Sequence, residues 1–192
     1  MRLQILNDGH NFGYKLLFML IRTVSRQPVL DVVKLAKYRP DFYGIPMSEV
    51  TQEAMRGPST WSVAERELMA AFIAKTNHCE FCTNAHSAVA ELAYGNGNNV
   101  SAVLCDKTSE IEQPLQATLL LLQKLTREHT IDADDIRSVL AAGASPQQVA
   151  DALTVCFCFN VMGRLADAFN FSIPTPQALR AGAKYLLARG YQ

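Results

Sequence analysis

Nearly every segment of this chain carries the punctuation of a helix, and none carries the alternation of a strand. Ser62-Val63-Ala64-Glu65 is a capping box, in which the Ser and Glu side chains each satisfy a backbone N–H left free by the first turn. It predicts a helix through about Thr76. Ser145-Pro146-Gln147-Gln148 is a second box with proline at the first helical position, and it predicts a long helix to about Phe169. Pro114 suits the first turn of a helix to about Glu128, whose Leu115, Leu119, Leu122 and Leu125 form an apolar stripe. Asp132 can cap a helix over 133–142 that Gly143 ends. Helical spacing also runs through 12–24 and 29–36, with Pro28 suited to a first turn between them. The stretch 38–46, holding Pro40, Gly44 and Pro46, reads as a connector, and a short helix over 48–55 stops at Gly57-Pro58. A helix carrying Cys82 and His86 reaches Ala93 and ends at Gly95, one further short turn covers 100–105, and a last helix follows Pro174 and Pro176 over 177–188. No run keeps a two-residue period and no repeat is visible. The expected fold is therefore all-α, about eight to ten helices with no significant sheet.

A chain of 192 residues suffices for one well-buried domain with an appended helical arm. The division expected here is an N-terminal arm over 1–39, packed on the core or on a neighbouring subunit, and a helical domain over 40–192. Eighteen basic residues balance eighteen acidic ones, so the electrostatic term that drives nucleic-acid binding has no source. The apolar run 16–21, between Lys15 and Arg22, is far shorter than the roughly 20 residues that cross a bilayer. It is followed by no small-residue cleavage site, so a cytoplasmic protein without a membrane span is expected. In a reducing compartment five cysteines are not a disulfide framework, and a close pair of them reads as catalytic, redox or metal-binding.

That close pair is Cys79-Glu80-Phe81-Cys82, followed four residues later by His86 and preceded twelve residues earlier, counting from Cys79, by Glu67. On one helix, steps of three and four put Cys79, Cys82 and His86 on a single stripe, with the thiols at the first turn. Free N–H groups and the positive end of the helix dipole favour thiolate there, and His86 can take a proton from Cys82. The two arguments for an attacking thiol disagree: Cys79 is nearest the helix start, whereas Cys82 is one turn from the imidazole. If the helices on either side of Asn77-His78 fold back on each other, Glu67 and His86 are offset axially by roughly 4 to 5 Å, a gap for a water or a steep crossing to bridge. Glu65 is explained by capping.

The pattern Glu67-x11-Cys79-x2-Cys82-x3-His86 resembles the carboxymuconolactone decarboxylase superfamily, in particular its AhpD-like alkylhydroperoxidase and peroxidase-related branch. Residues 61–67 look like the family's helix start, and 160–167 are similar to the segment that closes its domain. The resemblance implies an AhpD-like helical bundle over 40–192 and a thiol-dependent peroxidase that needs no cofactor or metal. It implies that Cys82 attacks a hydroperoxide, that Cys79 resolves the sulfenic acid to a disulfide, and that Glu67 holds His86 in a proton relay. It implies also a separate thiol reductant and a homo-oligomer, a dimer, trimer or hexamer, to which the apolar N-terminal helices could contribute. Two positions depart from the pattern: Phe81 stands where the alkylhydroperoxidase type member has a second His, and Gly163 stands where many relatives have Asn. The first removes a possible proton donor.

Other readings of the same residues remain open. Cys79, Cys82, His86 and His78 number enough to bind zinc, although His78 points to a different side from Cys79 and a second Cys-x-x-Cys is absent. Thioredoxin chemistry would need strands around the motif. A lactone decarboxylase would move protons without the thiols, and a non-catalytic redox-sensing oligomer would keep the motif as a switch. His78 is a candidate secondary proton donor, Cys105, Cys156 and Cys158 are assigned to packing, and Asn160, Arg164 and Asp167 to an internal ion pair or a subunit contact.

Overall fold

The computed structural model describes residues 1–105, 107 and 111–191. Eleven α-helices and one π-helical turn make up its regular structure, and no strand occurs among the described residues. The all-α expectation holds. The helices are α1 (Ile5–Asp8), α2 (Phe12–Ser25), α3 (Asp31–Tyr38), α4 (Ile45–Arg56), α5 (Val63–Thr76), α6 (Glu80–Tyr94), α7 (Asn98–Leu104), α8 (Gln113–Glu128), α9 (Ala133–Ala141), α10 (Pro146–Phe169) and α11 (Pro176–Arg189).

Helix α5 lies at the centre because its sequence has no polar face to give to water. Arg66 through Ala74 are all buried, and a helix apolar on every side must be surrounded. It packs against α4, α6, α8 and α10, while α11 lies along α6. Its start is fixed as expected: the Ser62 hydroxyl accepts from the Glu65 N–H at 3.2 Å, and the Glu65 carboxylate accepts from the Ser62 N–H at 2.7 Å. Trp61, just upstream and buried, donates its indole N–H to the Gln148 carbonyl at 2.8 Å, tying the start of α5 to that of α10. At the other end His78 adopts a left-handed φ of 59°, and the Cys79 N–H returns to the Ala74 carbonyl at 2.9 Å. This end reverses the chain into α6.

The short helix α1 is not among the expected elements, α7 starts two residues earlier than read, and two larger differences bear on the packing. Helix α3 begins at Asp31 rather than at Pro28, with Leu30 as its extended cap. Asp31 itself is used elsewhere, pairing with Lys34 at 2.8 Å and accepting from the Ser172 N–H at 2.9 Å. The expected connector 38–46 is instead the π-helical turn Pro40–Gly44 running straight into α4, because Pro46 falls in the first turn, where its missing N–H costs nothing. Gly44 permits the crossing: a Cβ there would meet the Ala36 carbonyl oxygen at 2.0 Å.

Two apolar clusters follow. The larger joins α4, α5, α8 and α10 through Met55, Leu68, Phe72, Leu119, Leu122 and Phe159. The smaller holds Cys79, Phe81 and Cys82 among Leu6, Leu35, Ala166 and Phe171, so the segment 1–39 contributes directly to the surroundings of the dithiol. Helix α2 behaves differently, with no buried residue at all and with Phe12 and Val24 82% and 76% exposed. One helix, α10, is long and apolar enough to cross a membrane, and here Val155, Cys156, Cys158 and Phe159 from it are buried in the protein core.

Candidate active site

The capping box that starts α5 sets the rotation of Glu67, which is fully buried. Across the α5–α6 hairpin its Oε2 lies 2.7 Å from Nδ1 of His86. The expected axial gap is absent: the two side chains meet directly, with no bridging group between them. Glu67 Oε1 accepts from Arg56 Nη2 at 2.7 Å and from the Tyr191 hydroxyl at 2.8 Å. Burial pushes the Glu67 carboxyl up, but the hydrogen bond and charge of His86, together with Arg56, outweigh it and hold the group below its ordinary value. An ionised carboxylate only accepts, so Nδ1 of His86 carries the hydrogen of this contact and Nε2 is the ring nitrogen left to face other partners. The imidazole is fixed on its faces too, by an edge contact to Phe159 at 4.3 Å between centroids and by Tyr191 stacked at 6.4 Å.

Cys79 is the N-cap of α6 and Cys82 lies in its first turn. Both are free thiols, 0% and 1% exposed. The two thiols stand one turn apart at this helix start, close enough to act on each other's ionisation. The Cys82 side chain, with the Cys82 backbone N–H added, holds the Cys79 thiol below its ordinary range, against burial and the nearby Asp167 carboxylate. The neighbouring Cys79 thiol, and then burial, pushes Cys82 up, so the two thiols are driven apart in proton affinity, Cys79 downward and Cys82 upward. Tyr43 is pushed up to about 12 by burial and by the charge of Cys82 when ionised, which places its phenol beside the pair as a neutral group.

Phe81 packs edge-on against Phe171 at 5.2 Å, so it contributes a hydrophobic cover beside the thiols. His78 is exposed and lines a cleft of about 350 Å³ with Arg2, Glu80, Phe81, Asp167 and Phe171. Because Asp167 also lies against Cys79, that cleft sits at the Cys79 end of the dithiol. Gly163 lies on the same flank, where a Cβ would sit 3.7 Å from Cys79 Cβ. Asn160 is used for packing α10 to its neighbours, accepting from Asn77 Nδ2 at 3.0 Å and donating to Thr126 Oγ1 at 3.2 Å. Cys156 and Cys158 are buried, as assigned, but Cys105 is exposed at the end of α7, so packing does not account for it. Among the described residues no group of three or more His, Cys, Asp or Glu side chains is arranged to hold a metal ion.

Sequence reasoning missed two residues of this site, Arg56 and Tyr191. Arg56 had a weak signal, a cation in the last turn of its helix before Gly57-Pro58. Tyr191 had none, because it comes from a segment 124 residues from Glu67.

No protein-family model matches the chain, and no curated protein does. Solved structures do match. A peroxidase-related protein from a Silicibacter species superposes with a TM-score of 0.73 at 20% identity, covering 87% of each chain. The alkylhydroperoxidase AhpD core of a peroxidase-related protein from Ralstonia eutropha superposes with a TM-score of 0.73 at 16% identity, covering 92% of each chain. The chain has the AhpD-like helical fold.

Proposed function

We propose that the protein is a thiol-dependent peroxidase of the alkylhydroperoxidase type, cycling Cys79 and Cys82 between dithiol and disulfide. The observation that carries this reading is the buried contact of Glu67 with His86 at 2.7 Å, one turn beyond a pair of free, buried thiols at a helix start. A carboxylate that fixes an imidazole tautomer serves proton transfer, and a low-lying thiolate serves nucleophilic attack.

The chemistry balances as follows. The Cys79 thiolate attacks the terminal peroxide oxygen, the O–O bond breaks, and Cys79 becomes a sulfenic acid while the alkoxide leaves. The alkoxide takes the Cys82 proton to become the alcohol. The Cys82 thiolate then attacks the sulfenic sulfur, forming the disulfide and expelling hydroxide, which becomes water by taking back from His86 the proton that His86 accepted when Cys79 ionised. Two electrons pass from the thiols to the peroxide, and a separate dithiol returns them. In this scheme the attacking role goes to the thiol that ionises first, the reverse of what the family resemblance implies. Attack by Cys82 is the second reading, favoured by its place one turn before His86. We propose in addition that the protein works as a homo-oligomer in which the exposed apolar face of α2 meets another copy. Without those partners Phe12, Leu16, Met19, Leu20 and Val24 all face solvent.

The test is to add one equivalent of an organic hydroperoxide to reduced protein, then count thiols and map the product by peptide mass. The expected result is loss of two thiols and a Cys79–Cys82 bond. Unchanged thiols after complete mixing would overturn the reading.

A further inference from the structure

On the peroxidase reading above, we infer that Tyr191 is a positioning residue of the proton relay: its phenol, delivered by α11, locks Glu67 so that Oε2 stays on His86 Nδ1. Glu67 has two oxygens and three buried neighbours that compete for them. Arg56 Nη2 and the Tyr191 hydroxyl both occupy Oε1, at 2.7 and 2.8 Å, and this leaves Oε2 to the imidazole at 2.7 Å. Tyr191 O also approaches Nδ1 itself at 3.4 Å. Arg56 alone can swing between the two oxygens, whereas two donors on one oxygen define which is which.

The placement of Tyr191 is built rather than incidental. Helix α11 stops at Gly190, whose φ of 71° turns the chain inward at a point where a Cβ would meet Gln52 Oε1 at 2.2 Å. That same oxygen accepts the Tyr191 N–H at 2.7 Å. Arg56 closes the arrangement, donating to the Leu186 carbonyl at 3.1 Å while its guanidinium lies 5.1 Å over the Tyr191 ring. The ring in turn covers His86, nearly parallel to it. Burial and the adjacent Glu67 charge keep the phenol protonated, so it acts as a permanent donor and never as a competing base.

The charged and titratable groups that face Glu67 are Arg56 and Arg66, His86 and Tyr191. Removing the phenol O–H leaves the carboxylate less neutralised and free to rotate. The imidazole is then less often aligned by Oε2, so disulfide formation slows.

The experiment uses the full chain carrying Tyr191→Phe, which deletes one oxygen and keeps the ring. Two measurements are made: the ¹⁵N spectrum of histidine-labelled reduced protein, which reports the His86 tautomer without any peroxide, and the pH profile of Cys79–Cys82 disulfide formation by tert-butyl hydroperoxide. The expected result is loss of the pure Nδ1–H signature and a rate at neutral pH lowered about tenfold, the size of one hydrogen bond to a charged group. A tautomer signal and pH profile both identical to wild type would overturn the inference. Should Tyr191→Phe fail to fold, Gln52→Ala, which releases only the Tyr191 backbone, decides: a mixed tautomer supports the inference and an unchanged one overturns it. If the wild-type thiols do not react with peroxide at all, a changed tautomer in Tyr191→Phe still supports the positioning role while the peroxidase reading falls.

Discussion

Glu67 and His86, nineteen residues apart on two helices of one hairpin, share a direct, buried hydrogen bond of 2.7 Å. The contact requires α5 to begin at one particular residue and α6 to return at one particular angle, since a slip of one residue turns either side chain by about 100°. If the contact serves proton transfer, removing either member acts on rate as well as on stability. His86→Ala is expected to slow disulfide formation by hydroperoxide about 100-fold or more, with the loss largest near neutral pH, while circular dichroism stays helical. Stopped-flow thiol oxidation checks it, and an unchanged rate would remove His86 from the mechanism.

Glu67→Gln probes the charge alone. The substitution keeps the shape but leaves Arg56 with no ionised partner at 2.7 Å, and breaking a buried pair in this way costs about 3–5 kcal/mol. The pH dependence has a definite sign. Glu67 is held below its ordinary value when folded, so the unfolded chain takes up the proton first as pH falls. Its stabilising contribution is complete above the ordinary carboxyl value and is lost as pH falls through the lower folded one. Urea unfolding from pH 7 to pH 3 is expected to show a steep acid loss in the wild type and a shallower one in Glu67→Gln. Asp31, also held low through Lys34 and Ser172, keeps some acid slope in both.

How much of this was legible beforehand depends on whether a signal is local. The bounds of α5, α8 and α10 followed from side chains within four residues of each start, and those helices begin and end within a residue of expectation. The π-helical turn Pro40–Gly44 was hidden because Pro40, Gly44 and Pro46 punctuate a turn and a helix start equally well. The spacing of Cys79, Cys82 and His86 named the chemistry, and Glu67 was placed by its distance along the chain. Whether Glu67 reached His86 depended on the interhelical crossing, which side-chain packing sets and a count of residues does not. Arg56 and Tyr191 are visible only after α4 and α11 have been brought to the same carboxylate.

The two thiols are distinguishable by proton affinity. Because the Cys82 side chain holds Cys79 low while Cys82 itself is pushed up, a limiting amount of iodoacetamide is expected to modify Cys79 first, as peptide mass reports. Cys82→Ala removes that neighbour and should shift the alkylation midpoint of Cys79 to higher pH. With peroxide, Cys82→Ser is expected to retain a rapid first step and trap a sulfenic acid on Cys79, while Cys79→Ser loses that step. The opposite pattern, a sulfenic acid on Cys82 in the Cys79→Ser protein formed at the wild-type rate, would establish Cys82 as the attacking thiol.

The capping box of α5 supports the site from a distance. Ser62→Ala removes the acceptor of the Glu65 N–H and leaves that donor to compete for water at the helix start. The expected cost is about 1 kcal/mol, equivalent to a fall of roughly 2–4 °C in Tm for a chain of this size. Because Glu67 lies in the second turn, loosening of the first is expected to weaken its hold on His86, so a modest loss of peroxide rate should accompany the fall in Tm. A rate unchanged within error would mean that α10, through Trp61 and Gln148, fixes the start of α5 without help from the box.

The exposed face of α2 makes the last prediction. Leu16 and Leu20 lie one turn apart on the same side as Phe12 and Met19, while Tyr14, Leu17, Phe18 and Ile21 are half-buried toward the protein. An apolar stripe of that length left in water is a cost that association removes, at about 25 cal/mol for each Å² covered. Leu16→Glu combined with Leu20→Glu places two carboxylates at the centre of the stripe, and carboxylates buried against another copy would be desolvated without partners. The expected outcome is a fall in mass to a smaller species by light scattering or sedimentation, with the α5–α6 hairpin and its dithiol unaltered in circular dichroism and thiol count. A mass that stays at the wild-type value would show that α2 is not the contact between copies and would move the search to other exposed apolar residues, among them Leu120 on α8 and Phe157 on α10.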